Sequence, residues 1–421
     1  MLAVLRRRDF ALLWSGGLVS VAGDWMLYAA LPFFVYERTG STVATAGMIV
    51  ASLTPAVLLG SFAGVFVDRW DRKRVLVLAN LLQAVAVAFL LLVPSDGWLW
   101  IVYVVAVAQS CVAAFSQPAE GALLPSLVED DQLVPANALN ALNNRIGRLV
   151  GAPVGGVLLA ALGLEAVVVV DCVSFLGAAL LIAPISAPRA VRGEPEQARP
   201  AAPVARTRWA SFWAEWVAGL RLVGNDRTIA VLFLVFGLMT FGGTMLDPLT
   251  VAWVRDVLGE GPEVYSLLIT AHAVTGIVGT LLVGRFGADS SPRDLIGWGS
   301  LIAGAALLLK YNVPVLALAF ATTAVTGITS VASAVGAESL AQRAVPDAYR
   351  GRVFGSLQAT IFLLSLLGAL TGGLLAEVVG IVAMLNVAAA LTVLAGLVTL
   401  RAFAADRQRL RSASVGLAGD E

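Results

Sequence analysis

Charge, cysteine and histidine are all scarce in this chain, and each scarcity removes a class of function. Only 13% of its 421 residues are charged, against about 25% in ordinary soluble domains, so there is too little polar surface to face water. The 28 basic and 28 acidic residues cancel, which leaves a nucleic-acid partner no electrostatic footprint. Two cysteines, Cys111 and Cys172, both inside apolar runs, supply neither a disulfide framework nor a zinc spacing. One histidine, His272, cannot build a His-based metal site or triad. No cofactor, metal or enzyme chemistry is expected.

What is present instead is apolar: 59% of the residues are hydrophobic, and 41 more are glycine. A bilayer-spanning helix needs about 20 apolar residues. Twelve runs meet or approach that length: 10–36, 43–67, 75–93, 98–119, 138–162, 166–185, 229–253, 264–286, 295–309, 315–337, 353–378 and 381–402. They are continuous rather than alternating, which argues against a β-barrel. The chain starts MLAVLRRRDF with no small-residue cleavage site after a short apolar stretch, so the first run reads as a retained span.

All basic residues except Arg38, Arg255 and Lys310 fall on one side of these runs. By the positive-inside rule, that side and both termini are expected to be cytoplasmic. The longest polar stretch separates a six-span half, 1–186, from a second, 229–402, with a tail at 403–421. Within the linker, 187–228, Trp209, Phe212, Trp213, Trp216, Val217 and Leu220 recur at helical spacing, which predicts a short helix lying in the headgroup layer. The halves repeat. An offset of 217 lays GAPVGG (Gly151 to Gly156) over GALTGG (Gly368 to Gly373) and Gly163 over Gly380. An offset of 216 lays Gly60 over Gly276, Arg69 over Arg285 and Pro32 over Pro248. The expected fold is all-α, with twelve transmembrane helices in two pseudo-symmetric halves.

After the second span the chain reads GVFVDRWDRKR. Gly64 allows two helices to approach closely, Asp68 can face the positive end of a neighbouring helix, and Arg69, Arg72, Lys73 and Arg74, with Asp71 among them, can pair across a cytoplasmic seam. This stretch resembles the signature G-x-x-x-D-R-x-x-R-[KR]-[KR] of the major facilitator superfamily. Span five carries GRLVGAPVGG, with Gly147, Gly151, Pro153, Gly155 and Gly156. It is similar to the antiporter motif of facilitator exporters, where small residues permit tight packing and a proline bends the helix, except that Ala152 separates the glycine from the proline. FSQPAEGALLPSLVEDDQLVPANAL, VVDCVSFLGAALL and LAQRAVPDAYRGRVFG resemble the branch of enterobactin exporters and macrolide efflux proteins. The resemblance implies an inner-membrane antiporter that exports an amphipathic small molecule in exchange for protons; a monomer is expected. Because the same branch includes lysophospholipid transporters, lipid handling is the alternative, and a non-transporting scaffold or sensor is a third.

Individual polar residues then acquire candidate roles. Glu120 and Glu338 close spans four and ten and are expected to form gate salt bridges with Arg69, Arg72, Arg350 and Arg352. Asp24, Asp247 and Asp171 lie deeper, where an acid costs about 2.5 to 3.5 kcal/mol on insertion scales and so wants a function such as carrying a proton. Asp24, nearest the middle of a span, leads. Asp247 precedes Pro248 and reads equally as the cap of a broken helix, and Asp171 reads also as structural. Arg145 and Arg148, one turn apart, either face the bundle toward an anionic substrate or snorkel to the interface. Gln109, Gln358 and His272 are possible cavity-lining groups.

Overall fold

Hydrocarbon offers no partner for backbone N–H and C=O groups, so a spanning segment must satisfy them internally, as a helix does. A computed structural model describes residues 4–67, 69–93, 97–186, 227–287, 290–345 and 350–402. The described residues form twelve α-helices and no strand: α1 Arg8–Thr39, α2 Thr42–Val67, α3 Arg72–Ala88, α4 Trp100–Leu123, α5 Leu133–Leu162, α6 Leu164–Ile182, α7 Arg227–Ala252, α8 Pro262–Phe286, α9 Pro292–Asn312, α10 Leu316–Ala344, α11 Arg350–Val379 and α12 Ile381–Ala402. Eleven are long and apolar enough to cross a membrane, and α2 contributes the shorter apolar stretch Thr42–Ala56. Each coincides with one of the twelve apolar runs. The proposed interfacial helix, the tail and Asp68 lie outside the described residues.

Packing divides the helices into two compact units. The first joins α1–α6 with Thr250–Ala273; the second holds the rest of α7 and α8 with α9–α12. This differs from a seam drawn through the linker, because the segment after Thr250 packs on α1. In the first unit α1 lies against α5 and α6, α2 against α4, and α3 against both α4 and α6. In the second, α9 lies against α10 and α12, so the neighbours of α3 recur six helices later.

The ends of the elements follow from local chemistry. Asp71 caps α3 by accepting the Arg74 N–H at 3.0 Å, and Ser291 caps α9 by accepting the Asp294 N–H at 3.2 Å. At the basic end of the first unit Phe10, Leu13, Leu76, Leu123, Leu139 and Ile182 close one buried cluster. Gly163 and Gly380 are one-residue joints between α5 and α6 and between α11 and α12, with φ of 81° and 99°. At Gly163 the accompanying ψ is −178°, a region that side chains avoid. Gly163→Ala is therefore expected to cost about 1–3 kcal/mol and to lower the melting temperature of the purified protein. The same substitution at Gly177, where an added Cβ meets nothing within 4 Å, is the control.

Candidate functional site

The glycines of α5 bring it onto the backbone of α1. A Cβ at Gly147 would lie 2.5 Å from Val21 Cγ1, at Gly151 2.1 Å from Ala22 O, and at Gly155 2.4 Å from Met26 O. Gly156 faces elsewhere, where a Cβ would sit 2.0 Å from Ser266 Oγ at the start of α8. Pro153 lies inside α5 without interrupting it. The second unit repeats the arrangement: a Cβ at Gly368 would come 2.5 Å from Phe241 O, and one at Gly372 3.0 Å from Met245 O. Met26 thus corresponds to Met245, an offset of 219. Pro32 and Pro248, aligned at 216, sit about one turn apart in the packing register.

Close approach of α5 positions polar groups along α1. Asn143 Nδ2 donates to Trp14 O, and Trp14 Nε1 donates to Leu139 O, both at 2.9 Å. A Cβ on Gly17 would meet Asn143 Nδ2 at 2.9 Å and Glu120 Oε1 at 3.9 Å, so a side chain there would have to displace the Asn143 amide. Glu120 accepts a hydrogen bond from the Asn140 side chain. One turn further along α5 the two arginines part: Arg145 is exposed, whereas the Arg148 guanidinium stacks 4.8 Å over the Trp25 ring. Trp25 in turn meets Tyr28 edge-on at 4.8 Å.

Asp24 lies near the middle of α1, next in sequence to Trp25, and its side chain is exposed. Its predecessor Gly23 packs on α6, where an added Cβ would be 2.0 Å from Asp171 Oδ1 and 2.3 Å from Ser174 Oγ. Asp171 is fully buried and accepts from Ser174 Oγ at 3.1 Å. Asp247 is half-buried in α7, which continues unbroken past Pro248 to Ala252. It therefore does not cap a helix break. His272 is half-buried in α8, Gln109 half-buried in α4, and Gln358 exposed on α11.

At the basic end, the charged loop staples helix ends. Arg72 Nη1 donates to Ala122 O at 3.0 Å, and Lys73 Nζ donates to Ala183 O at 3.2 Å and Ile185 O at 3.0 Å. Cations here meet the unpaired carbonyls in the last turn of α4 and just beyond α6, which suits both the helix dipole and the open acceptors. Arg74 lies 3.7 Å from Asp71, and Arg69 is exposed. The expected pairing of Arg72 with Glu120 is replaced by the α4 backbone, because Glu120 is turned toward α1 and α5. Arg7 instead finds Glu129, in the turn before α5. Gly64 lies in α2, Arg350 and Arg352 lie in α11, and Glu338 is exposed with Gln342 Nε2 at 3.4 Å.

Sequence reasoning passed over the opposite end of α1. Tyr36 donates its hydroxyl to Asp256, Glu37 pairs with Arg255 at 3.3 Å, and the Phe33 and Tyr265 rings lie 6.1 Å apart. Asp256 and Arg255 sit in a π-helical turn, Trp253–Val257, that ends α7. Such turns aim side chains that a regular helix would point elsewhere. The detectable signal was the sparse charge on that side, where Arg38, Arg255 and Lys310 are the basic residues.

Twelve apolar helices in a packing pattern that repeats between the two units define a membrane protein of the major facilitator fold. Residues 1–414 match the family model described as transmembrane secretion effector, and the chain belongs to that family of the superfamily. It is similar to macrolide efflux protein A of Streptococcus pyogenes, 26% identical over 88% of this chain and 90% of that one. It is also similar to the multidrug efflux pump Tap of Mycolicibacterium fortuitum, 25% identical over 89% and 91%. Among solved structures, a bacterial homologue of the iron transporter ferroportin in an inward-facing state superposes with a TM-score of 0.71 at 18% identity, covering 94% of this chain and 98% of that one. That likeness establishes the fold. The chain is thus a multi-pass membrane transporter with efflux-type relatives.

Proposed function

We propose that the chain exports an amphipathic small molecule across the bacterial inner membrane in exchange for protons, by alternating access and as a monomer, with both termini cytoplasmic. The observation that carries this reading is Asp24: an exposed carboxyl in the middle of a 32-residue helix, next in sequence to Trp25, which meets Tyr28 edge-on and carries the Arg148 guanidinium over its ring. An accessible acid inside a span can take up and release a proton, and flat aromatic faces suit an amphipathic ligand. Asp247 is the reserve candidate for coupling. Its similarity to a macrolide efflux protein and a multidrug efflux pump supports the direction of transport.

Everted membrane vesicles supplied with external erythromycin or ethidium test the reading. Uptake should require an imposed pH gradient and collapse when it is dissipated. Gradient-independent movement of a fluorescent lysophospholipid, with neither drug transported, would replace it with lipid translocation. Topology is checked separately in a cysteine-free background. A cysteine placed in 187–205 should be labelled only from the cytoplasm and one near Ser95 only from outside; reversed labelling would invert the direction of export.

The two contacts at the far end of α1 then act as an outer latch that must open in each cycle. The Arg255–Glu37 pair is half-exposed on both sides, so its removal is worth about 0.2–1 kcal/mol, a shift of no more than about fivefold between states. The Tyr36 hydroxyl donates to a carboxylate, a stronger bond of about 1.5–3 kcal/mol. Tyr36→Phe should therefore raise labelling of a cysteine at Ser266 from outside more than Arg255→Ala does. Equal labelling in both variants and the parent would remove the latch.

A further inference from the structure

Glu120 is a carboxylate near the basic end of α4 for which the surrounding helices provide no counter-ion. The ion pairs among the described residues are Arg7–Glu129, Arg74–Asp71 and Arg255–Glu37, and Glu120 belongs to none of them. The reason lies in where the cations are. Neither α2 nor α4 contains a lysine or an arginine, and α1 carries Arg8 and Arg38 only at its ends. On α5 Arg145 is exposed and Arg148 lies over Trp25, while Arg72 is taken by the Ala122 carbonyl. An ionisable group within a span and without a partner is costly enough to want a function.

What surrounds this carboxylate is a set of hydrogen-bonding groups in front of a glycine. A Cβ on Gly17 would have just Asn143 Nδ2 and Glu120 Oε1 within 4 Å, so the space there is bounded by an amide and an acid and, apart from α1 itself, is open. The Asn140 side chain donates to Glu120, and a carboxylate can accept several bonds more. Asn143 is only 3% exposed, its Nδ2 is committed to Trp14 O, and its Oδ1 has no hydrogen-bond partner among the described residues. An acid with acceptor capacity to spare and an unsatisfied amide therefore border one gap, and no cation of the described residues fills it. The register of α1 connects this gap with Asp24. Gly16 and Gly23 both pack on α6; Gly17 and Asp24 each follow by one residue, so they share a second face of α1, about two turns and about 10 Å apart.

We propose that Glu120 and Asn143 form an ammonium-binding site at the inner entrance of the first unit, where the protonated amine of an amphipathic cargo donates to the carboxylate and to Asn143 Oδ1 before the cargo moves along α1 toward Asp24. Asn140 is the positioning residue for the carboxylate. This rests on the export reading above, which makes the basic end the side from which cargo is taken, and it gives the cargo a class: amphiphiles that carry an N–H cation. A carboxylate accepts a stronger bond from a charged N–H than from a neutral one, so a neutral amphiphile of similar shape gains little there.

Equilibrium binding to purified protein in lipid nanodiscs, with no gradient imposed, tests the site. Ethidium, a planar cation with amino N–H groups, is the probe, and Nile red, a planar neutral dye, is the control. Glu120→Gln keeps the shape and an acceptor for Asn140 while removing the charge; it should weaken ethidium by about tenfold or more and leave Nile red unchanged. Asn140→Ala should give a smaller loss with the same selectivity. Parent affinity for ethidium in Glu120→Gln, or an equal loss of both dyes, would overturn the site, as would a loss confined to Asp24→Asn. Should Glu120→Gln fail to insert, Gly17→Ala decides. Its methyl group enters the gap without changing any charge and should weaken ethidium selectively; an effect that is absent, or equal for both dyes, would overturn the site. Selective binding through Glu120 in a protein whose transport ignores the pH gradient keeps the site and ends proton antiport. Gradient-driven export of ethidium that survives Glu120→Gln at parent affinity keeps antiport and ends the site, so the two failures are distinguishable.

Discussion

Asp24→Asn is expected to reduce gradient-driven accumulation of erythromycin or ethidium in everted vesicles by more than tenfold, while membrane insertion stays intact. The amide keeps the shape and one acceptor of the acid and loses the titration. Folding should tolerate it, because Asp24 makes no ion pair among the described residues and is accessible rather than packed into a core. Binding measured on purified protein separates two mechanisms. Retained binding means that Asp24 only carries the proton; lost binding of a cationic dye means that dye and proton compete for one carboxylate. Wild-type pH dependence and full accumulation in the variant would transfer coupling to Asp247 or end the case for antiport through these acids.

Much of this architecture was legible because the bilayer imposes strong rules. Continuous apolar runs, rather than propensity, set the twelve helices, and the glycine spacing of α5 announced a close helix contact. What periodicity could not supply was the partner. Small residues say that something approaches; only the packing shows α1 beneath Gly151, and Ser266 rather than α1 beside Gly156. The basic loop illustrates a second limit. Arginines near acids invite salt bridges on paper, yet Arg72 and Lys73 reach carbonyls at the ends of α4 and α6, because helix ends offer unpaired acceptors that composition does not display. For Arg148 the sequence offered cavity or interface, and what it could not offer was the partner, the Trp25 ring on α1. The Tyr36, Glu37, Arg255 and Asp256 cluster was missed because a π-helical turn alters the direction of side chains without any motif to mark it.

Gly151→Leu should all but abolish folded protein in the membrane. The position admits no side chain: its Cβ would overlap the Ala22 carbonyl at 2.1 Å and the Trp25 Cβ at 2.9 Å. A backbone oxygen in mid-helix cannot rotate away as a flexible side-chain tip can, so α1 and α5 must separate along their length. Overpacking commonly costs about 1–3 kcal/mol, and a clash with backbone belongs at or beyond the upper end of that range. Separation would also break the Trp14–Leu139 and Asn143–Trp14 bonds and the Arg148–Trp25 stack, losing the polar contacts between α1 and α5 with the fold. The repeat makes the prediction double. Gly368→Leu should fail similarly, since its Cβ would meet Thr244 Oγ1 at 2.2 Å and Phe241 O at 2.5 Å. By contrast Gly177→Leu and Gly243→Leu, where an added Cβ meets nothing within 4 Å, should accumulate near the parent level. Monodispersity of detergent-extracted fluorescent fusions measures all four. Normal yield and a single peak from Gly151→Leu would mean that α1 and α5 are not held in contact, and the stack of Arg148 on Trp25 would fall with it.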